Sequence, residues 1–330
     1  MLNIGINGFG RIGRLVMRGA LGQKSFKVTA ANDLVDSATL AHLLKYDTNY
    51  GVMDKEVKAG RDHLLIDGDT VKVFSEKDPA KIPWKECGVD LVVESTGRFR
   101  KRDSAMLHMR GGASRVIITA PGEADVVIVL GVNENLYDPA KHYLISNASC
   151  TTNALAPVVK VLHDNFTVRK GLMNTTHAYT NDQALVDTPH PDLRRARAAA
   201  VSMIPTSTGA AKTVGEVIPE LKGKIDGMAI RVPTSTVSLV DFVAELARDA
   251  TPAAVNEAFK QAAEGSRYLA FSEEPLVSVD YKGNPYSATV DGLSTMTVGG
   301  NLIRVLAWYD NEWAYAQRVV DLVAIIAAAE

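Results

Sequence analysis

Short apolar runs alternate with amphipathic stretches through the first half of the chain. Residues 2–6 form an apolar run of strand length, residues 11–21 carry apolar side chains at helical spacing, and residues 26–31 form the next run. Further short runs, rich in β-branched residues as buried parallel strands are, occupy residues 91–93, 116–118, 126–130 and 143–145. The pattern predicts βαβ units and a mainly parallel sheet. An Asp-Gly pair within residues 64–73 predicts an inserted hairpin.

The second half of the chain has a different pattern. It predicts a helix at residues 151–163 and antiparallel strands at residues 172–177, 227–232, 238–246 and 302–309. Residues 179–205 form a connection that is long for a compact domain and contains several arginines, which is typical of a functional loop. A final amphipathic helix at residues 312–328 is expected to pack against the first half.

Composition sets the class of protein. The chain has 330 residues, 46% of them apolar, and a formal net charge of −2, which favours a soluble globular protein with two domains. A charge this close to neutral argues against a constitutive nucleic-acid binder. Two cysteines do not form a disulfide framework, so we expect a cytoplasmic protein. No apolar run approaches the roughly 18 residues that a membrane span needs.

A glycine-rich turn separates the first predicted strand from the first predicted helix. Residues 8–13 read GFGRIG, a pattern whose glycines allow a tight turn and let backbone N–H groups approach a pyrophosphate. Asp33 ends the second predicted strand, where its carboxylate can accept hydrogen bonds from ribose hydroxyls and would repel a 2′-phosphate. The complete unit predicts a Rossmann-type site for NAD rather than NADP.

Cys150 is predicted to be a nucleophile. It lies among hydroxyl-bearing residues at the start of a helix, where free N–H groups and the helix dipole favour a thiolate. Cys87 has no such setting and is expected to be a small buried hydrophobe. His177 ends a strand from which its side chain can reach a helix start, so it is the expected base. We expect the other histidines at the surface: His42, His63, His108, His142, His163 and His190. No spacing of potential metal ligands is present.

Three further features concern charge. Residues 206–213 place hydroxyls and N–H groups ahead of a helix, although the glycine before Lys212 that an ATP phosphate loop requires is absent. Arg231 interrupts an apolar strand, and either a structural salt bridge or an anionic substrate would balance its charge. The basic run at residues 98–102 is interpreted as a solvated face.

These residues together resemble the phosphorylating glyceraldehyde-3-phosphate dehydrogenases over essentially the whole chain. The resemblance is carried by NGFGRIGR at residues 7–14, ASCTTN at 148–153, DLRRAR at 192–197 and WYDNEW at 308–313. We therefore expect an NAD-binding domain at residues 1–148, completed by the C-terminal helix at 312–330, and a catalytic α+β domain with a mainly antiparallel sheet at 149–311.

The resemblance also implies the site residues. Those implied to contact NAD are Gly8, Gly10, Arg11, Ile12, Gly13, Asp33, Lys77, Thr119 and Asn311. Those implied to bind substrate and phosphate are Ser149, Thr151, Thr180, Arg195, Thr208, Gly209 and Arg231. Thr188-Pro189 stands where strictly NAD-dependent relatives usually carry Leu-Pro, which leaves some use of NADP open.

The reaction implied is the NAD-dependent oxidation of glyceraldehyde 3-phosphate. Cys150 attacks the aldehyde, a hydride passes to NAD, and inorganic phosphate releases 1,3-bisphosphoglycerate from a thioester. Such enzymes are usually homotetramers. An erythrose-4-phosphate dehydrogenase would share Cys150 and His177, whereas a nucleotide-sensing or RNA-binding protein on the same fold would need neither. Both remain alternatives at the level of sequence.

Overall fold

The computed structural model describes residues 1–329, which form two compact units. Unit 1 comprises Met1–Ile128, Asn135–Ala148 and the described residues from Ala316 onward. Unit 2 comprises Val129–Glu134 and Ser149–Tyr315. Across the described residues, we find no helix with the length and apolar character that a membrane crossing requires.

Unit 1 alternates strands and helices along the chain. Its elements are β1 (Leu2–Asn7), α1 (Arg11–Ala20), β2 (Phe26–Asn32), α2 (Ser37–Lys45), β3 (Tyr46–Asp47), β4 (Gly51–Val52), β5 (Val57–Ala59), β6 (His63–Ile66), β7 (Asp69–Phe74), β8 (Leu91–Glu94), α3 (Arg102–Ala105), α4 (Leu107–Arg110), β9 (Arg115–Ile118), β10 (Val126–Val127) and β11 (Leu144–Ser146).

Nine of these strands form one sheet in the order β10-β11-β9-β8-β1-β2-β7-β6-β5. All neighbours are parallel except the β5–β6 and β6–β7 pairs, which confirms the mainly parallel sheet and the inserted hairpin. The chain winds outward on one side through β2 and β7 and on the other through β8 and β9. In such sheets ligands bind at the carboxyl ends of the strands where the winding reverses, here between β1 and β8.

The strand predicted at residues 126–130 is longer than the strand that the structure contains. Only Val126–Val127 joins the sheet, although Ile128, Val129 and Leu130 are fully buried. The apolar pattern reports burial, which packing provides here without strand pairing.

Unit 2 combines a second sheet with three helices. Its elements are α5 (Cys150–Phe166), β12 (Val168–Ala178), β13 (Ile204–Ser207), α6 (Ala210–Val217), β14 (Ile225–Val232), β15 (Ser238–Leu246), α7 (Pro252–Ala263), β16 (Leu269–Ser272), β17 (Ala288–Val298) and β18 (Leu302–Tyr309).

The second sheet has the order β13-β14-β12-β15-β18-β17-β16 and is mainly antiparallel. One detail of the prediction is wrong, because β12 and β14 pair in parallel, as do β16 and β17. Strand direction depends on the connections between strands, and the alternation of apolar residues does not encode it. The combination of the two sheets confirms the predicted α/β fold class with a Rossmann-type part.

The last helix, α8 (Trp313–Ala329), begins in unit 2, and its residues from Ala316 onward belong to unit 1. In unit 1, Gly19 of α1 leaves room for Gln317, since a Cβ at Gly19 would approach the Gln317 amide nitrogen to 2.6 Å. The predicted contact of this helix with the first half of the chain is confirmed. Glu330, included in the predicted range, lies outside the described residues.

Candidate active site

Cys150 is the first residue of α5. The Ser149 hydroxyl accepts a hydrogen bond from the Thr152 N–H at 3.0 Å and so caps the helix. Ala148 enters this turn with a φ of +55°, a value that residues with a Cβ seldom adopt. The backbone in front of the helix is therefore specialised, and it presents the Cys150 thiol at the helix start.

His177 lies near the end of β12 and contacts this thiol. Its Nε2 is 3.5 Å from Cys150 Sγ, and its Nδ1 is 2.7 Å from the Ala178 carbonyl oxygen. Arg231 Nη1, which only donates, lies 3.2 Å from the same Nδ1. The carbonyl only accepts and is the closer partner, so we assign the proton to Nδ1, and Nε2 faces the sulfur as an acceptor. The structure thus brings together the residues that the sequence predicts as nucleophile and base.

Arg231 completes the wall behind His177. The parallel register of β12 and β14 pairs His177 with Arg231. The guanidinium donates to the Ala178 carbonyl and the Thr180 hydroxyl, both at 3.3 Å, and its buried Nε has no partner. Within residues 1–329 no carboxylate forms an ion pair with Arg231. The structural salt bridge considered for Arg231 is therefore absent, and its charge remains available to an anion.

Burial acts on both members of the Cys150–His177 pair. It lowers the pKa of His177 to about 3, with the charges of Arg231 and Arg195 acting in the same direction and the Ala178 carbonyl opposing them. Burial also raises the pKa of the Cys150 thiol, and the Arg231 guanidinium opposes that rise. Burial therefore opposes the help that the helix start is predicted to give to a thiolate. Proton transfer from Sγ to Nε2 would create adjacent opposite charges, and their attraction would offset part of this cost of burial.

Tyr309, at the end of β18, is a neighbour that the sequence did not single out. Its hydroxyl is 2.8 Å from the Thr151 hydroxyl and 2.9 Å from that of Thr175. Its ring meets the His177 ring edge to face, with 6.0 Å between centroids. Burial raises the pKa of Tyr309, so this phenol stays protonated and braces the histidine. A tyrosine ending an apolar strand carries no signal of this role.

Arg195 lies on the long loop and faces residues 206–208. It donates to the Thr206 hydroxyl at 2.8 Å and to the Ser207 carbonyl at 3.1 Å, and it pairs with Asp182. Gly209 caps α6, and no heavy atom lies within 4 Å of the place where a Cβ would be. The Thr208 hydroxyl accepts from the Ala210 N–H at 3.2 Å. An arginine, hydroxyls and a helix start therefore lie near one another, and open space adjoins Gly209, as expected for an anion site.

The glycine turn in unit 1 has the shape of a phosphate cradle. Gly8 has a φ of +89°, and a Cβ there would lie 2.7 Å from the Thr96 backbone nitrogen. A Cβ at Gly13 would lie 2.1 Å from the Gly8 carbonyl oxygen, whereas Gly10 at the start of α1 faces open space. Asp33 accepts a hydrogen bond from the Phe9 N–H at 2.7 Å. A side chain at Gly8 or Gly13 would thus clash with neighbouring backbone, and the lack of a side chain at Gly10 leaves the backbone accessible.

The remaining predicted cofactor residues are dispersed. Arg11 pairs with Asp47 at 2.6 Å, and Lys77 is exposed beyond β7. The Thr119 hydroxyl donates to the Glu94 carbonyl at 3.1 Å, and Ile12 is half-buried. Asn311 belongs to unit 2, where its amide oxygen accepts from the Ser238 hydroxyl at 2.9 Å. No group of three or more His, Cys, Asp or Glu residues in the described part of the chain is arranged to hold a metal ion.

One prediction about the histidines is wrong. His108 has 0% exposure and is hydrogen-bonded to Glu94 and Trp84. The prediction placed this histidine on a helix face or in a loop, but the short α4 directs its side chain inward. The other histidines expected at the surface retain partial or full exposure.

Comparison with known proteins identifies related sequences. The family model described as the glyceraldehyde 3-phosphate dehydrogenase NAD binding domain matches residues 2–102, and that of the C-terminal domain matches residues 149–311. The chain is 57% identical over 327 residues to glyceraldehyde-3-phosphate dehydrogenase 1 of Bacillus cereus, covering 98% of both chains. It is 57% identical over 330 residues to glyceraldehyde-3-phosphate dehydrogenase of Geobacillus stearothermophilus, covering 99% of this chain and 98% of the relative.

Proposed function

Because the chain belongs to the glyceraldehyde-3-phosphate dehydrogenase family, its reaction is the NAD-dependent oxidation of glyceraldehyde 3-phosphate, and we propose that Cys150 and His177 carry it out. The observation that carries this assignment is the 3.5 Å contact between Cys150 Sγ and His177 Nε2. Neither the erythrose-4-phosphate reaction nor a nucleotide- or RNA-binding role is favoured, since the relatives are named for glyceraldehyde 3-phosphate.

The residues of unit 1 fit NAD. A side chain would clash at Gly8 and at Gly13, and open space adjoins Gly10, so backbone N–H groups can face a pyrophosphate. Asp33 has a carboxylate that would accept ribose hydroxyls. We propose that Arg11, Ile12, Lys77, Thr119 and Asn311 complete the site. When bound, NAD supplies the hydride acceptor, and the protein supplies binding and orientation.

The covalent steps use the protonation states of the resting pair. Cys150 Sγ attacks the aldehyde carbon while its proton passes to His177 Nε2, and the Cys150 N–H and His177 stabilise the resulting alkoxide. After this carbon loses its hydride, a thioester joins it to Sγ. Inorganic phosphate then attacks the thioester carbon and expels the thiolate, which regains a proton from His177. The products are 1,3-bisphosphoglycerate and the free thiol.

This scheme needs two phosphate positions, and unit 2 has two cationic groups for them. We propose that Arg231 and Thr180 serve one position and that Arg195, Thr208 and Gly209 serve the other, with Ser149 and Thr151 at the helix start between nucleophile and anion. The partnerless Nε of Arg231 supports this proposal, because an anion would satisfy that buried donor.

We also propose a homotetramer in the cytoplasm. Leu172, Met228 and Leu302 are exposed on strands of the second sheet, and exposed apolar sheet surfaces of this kind are typical of subunit interfaces. Both cysteines are free thiols, as a reducing compartment requires. The compact units support domain limits of residues 1–148 with the C-terminal helix, and of residues 149–311.

The test compares matched cysteine variants. We expect Cys150→Ser to lower NADH production from glyceraldehyde 3-phosphate, NAD and phosphate by at least about 10³-fold, because the nucleophile is lost. Cys87→Ser is the control and keeps its rate, since Cys87 packs in unit 1. Absorbance at 340 nm with and without phosphate gives the readout. Near-native NADH production by Cys150→Ser would disprove the covalent scheme. Equal rates of NADH production with and without phosphate would disprove phosphate as co-substrate.

A further inference from the structure

A buried carboxylate lies beneath the glycine turn of unit 1. Glu94 ends β8, is 1% exposed, and pairs in register with Asn7 at the end of β1. These two strands flank the point where the winding of the sheet reverses. A carboxylate so deeply buried is costly unless hydrogen bonds and nearby donors compensate it. The proposed NAD and phosphate sites do not include Glu94.

Each carboxylate oxygen of Glu94 has hydrogen-bond donors beside it. Oε1 accepts from the Thr96 N–H at 2.8 Å and from the Thr96 hydroxyl. Oε2 accepts from the Asn7 amide at 2.6 Å and lies 2.9 Å from His108 Nε2. This arrangement suits an ionised carboxylate, which accepts at both oxygens and donates at neither.

The indole of Trp84 determines the tautomer of His108. Trp84 Nε1–H is 3.1 Å from His108 Nδ1, and an indole N–H only donates. His108 Nδ1 is therefore the acceptor, and its Nε2 carries the hydrogen that Glu94 receives. His108 is a neutral donor held in place by a tryptophan that has 0% exposure.

The same network reaches the strand ends that carry the predicted NAD residues. The Asn7 amide oxygen accepts a hydrogen bond from the Asn32 side chain at 2.8 Å. The Asn32 side-chain amide in turn donates to the Glu76 carbonyl and accepts from the Glu76 N–H. These residues immediately precede Gly8, Asp33 and Lys77 in the sequence. The neighbouring Thr96 backbone packs so closely on Gly8 that a Cβ there would clash. The carboxylate is thus the common acceptor beneath separate parts of one ligand site.

We propose that Glu94 is a positioning residue for NAD: through Asn7, Thr96 and His108 it sets the relative placement of the glycine turn and the neighbouring strand ends. This inference rests on the proposed NAD site. It adds to that site a role for Glu94, which is 1% exposed and would act on the cofactor through its neighbours.

Glu94→Gln tests the proposal because it keeps the size and shape of the side chain and removes its negative charge and one acceptor oxygen. In the orientation that keeps the carbonyl towards Asn7 and His108, the new amide NH₂ faces the Thr96 N–H, so that donor loses its acceptor. We expect the Kd for NAD, measured by quenching of protein fluorescence, to rise about tenfold, as loss of a hydrogen bond to a charged group implies. At saturating NAD, kcat stays within about threefold of the parent value. Glu86→Gln, on an exposed side chain of the same unit, is the matched control.

A second variant separates positioning from loss of folding. His108→Phe keeps a ring but removes one donor to Glu94, and we expect a rise in Kd of about threefold. Because both residues act through the same carboxylate, the double variant should bind NAD no more weakly than Glu94→Gln alone. Because an unfolded fraction in equilibrium with the folded protein would also raise the apparent Kd, each titration is run under conditions where circular dichroism shows the variant to be fully folded. If Glu94→Gln does not fold, His108→Phe decides.

The outcomes distinguish this inference from the proposed function. Parent protein that fails to bind NAD would overturn the cofactor site and this proposal with it. Parent protein that binds NAD, with both variants within twofold of its Kd, would overturn the positioning role alone. A lowered kcat at saturating NAD with an unchanged Kd would also overturn it, because the effect would then lie outside cofactor placement.

Discussion

The reactive pair in unit 2 combines groups that burial keeps uncharged when each is considered alone. The pKa of His177 falls to about 3, and that of the Cys150 thiol rises. The contact of Sγ with Nε2 makes a charged pair accessible by moving one proton over a short distance. Tyr309 and the Ala178 carbonyl hold the imidazole so that Nε2 faces the sulfur.

Replacing His177 should expose the effect of burial on the thiol. In His177→Asn no group accepts the proton, so we expect the alkylation rate of Cys150 by iodoacetamide at pH 7 to fall at least tenfold. Its pH midpoint should rise above the value of about 8.5 for an ordinary cysteine, and kcat should fall about 10²- to 10⁴-fold. A Cys87→Ser background ensures that only Cys150 reacts. Identical alkylation midpoints with and without His177 would refute the pairing.

Between elements, one ion pair joins the start of α1 to β3. Arg11 is the first residue of α1, and its guanidinium makes two hydrogen bonds to Asp47 in β3. Asp47 also accepts from the Asn49 and Tyr50 N–H groups. Burial raises the pKa of Asp47, but the hydrogen bond and charge of Arg11 outweigh it, so the pKa is lowered overall.

This shift predicts a pH-dependent stability. Because the pKa of Asp47 is lower in the folded than in the unfolded protein, the ionised carboxylate stabilises the fold. This stabilisation is present above about pH 4 and is lost as the pH falls through the pKa of Asp47 in the folded protein. Asp47→Asn should lower the free energy of unfolding by about 1–2 kcal/mol at pH 7. Scanning calorimetry from pH 7 to 3.5 should show the difference in Tm shrinking on acidification. Asp54→Asn, at an exposed position, is the control, and a difference independent of pH would contradict this account.

At the scale of the whole molecule, the exposed side of the second sheet bears on assembly. Alternate residues of β15 are buried, and those between them are only half-buried. Leu172 on neighbouring β12 is 68% exposed. One face of the sheet therefore packs within unit 2, and the other leaves apolar side chains exposed, as the proposed tetramer would require.

A charge on that face should disrupt the proposed tetramer. We expect Leu172→Glu to lower the molar mass measured by light scattering after size-exclusion chromatography, because an interface would then bury an unpaired carboxylate. Leu136→Glu places the same charge on an exposed leucine of unit 1 and should leave the mass unchanged. A tetramer that persists in Leu172→Glu at low protein concentration would exclude this face as an interface.

Local patterns predicted those parts of the molecule whose physics is local. The glycine turn, the hairpin at residues 64–73 and the start of the helix at Cys150 each follow from a few adjacent residues. The pattern was less informative where different arrangements of the strands would bury the same apolar residues. It did not indicate that β12 and β14 are parallel, nor did it predict β17 or α7.

By itself the sequence determined the α/β class, the glycine turn and the identity of the candidate nucleophile, because turn geometry, helix starts and side-chain chemistry depend on near neighbours along the chain. The position of His177 at a strand end already favoured it over His108 as the base, but only the tertiary structure showed what each histidine contacts. One is paired with a thiol and Arg231 across parallel strands, and the other is buried beside Glu94. Hydrogen-bond partners that are distant in sequence determine what a histidine does, and those partners become neighbours only when the sheets form.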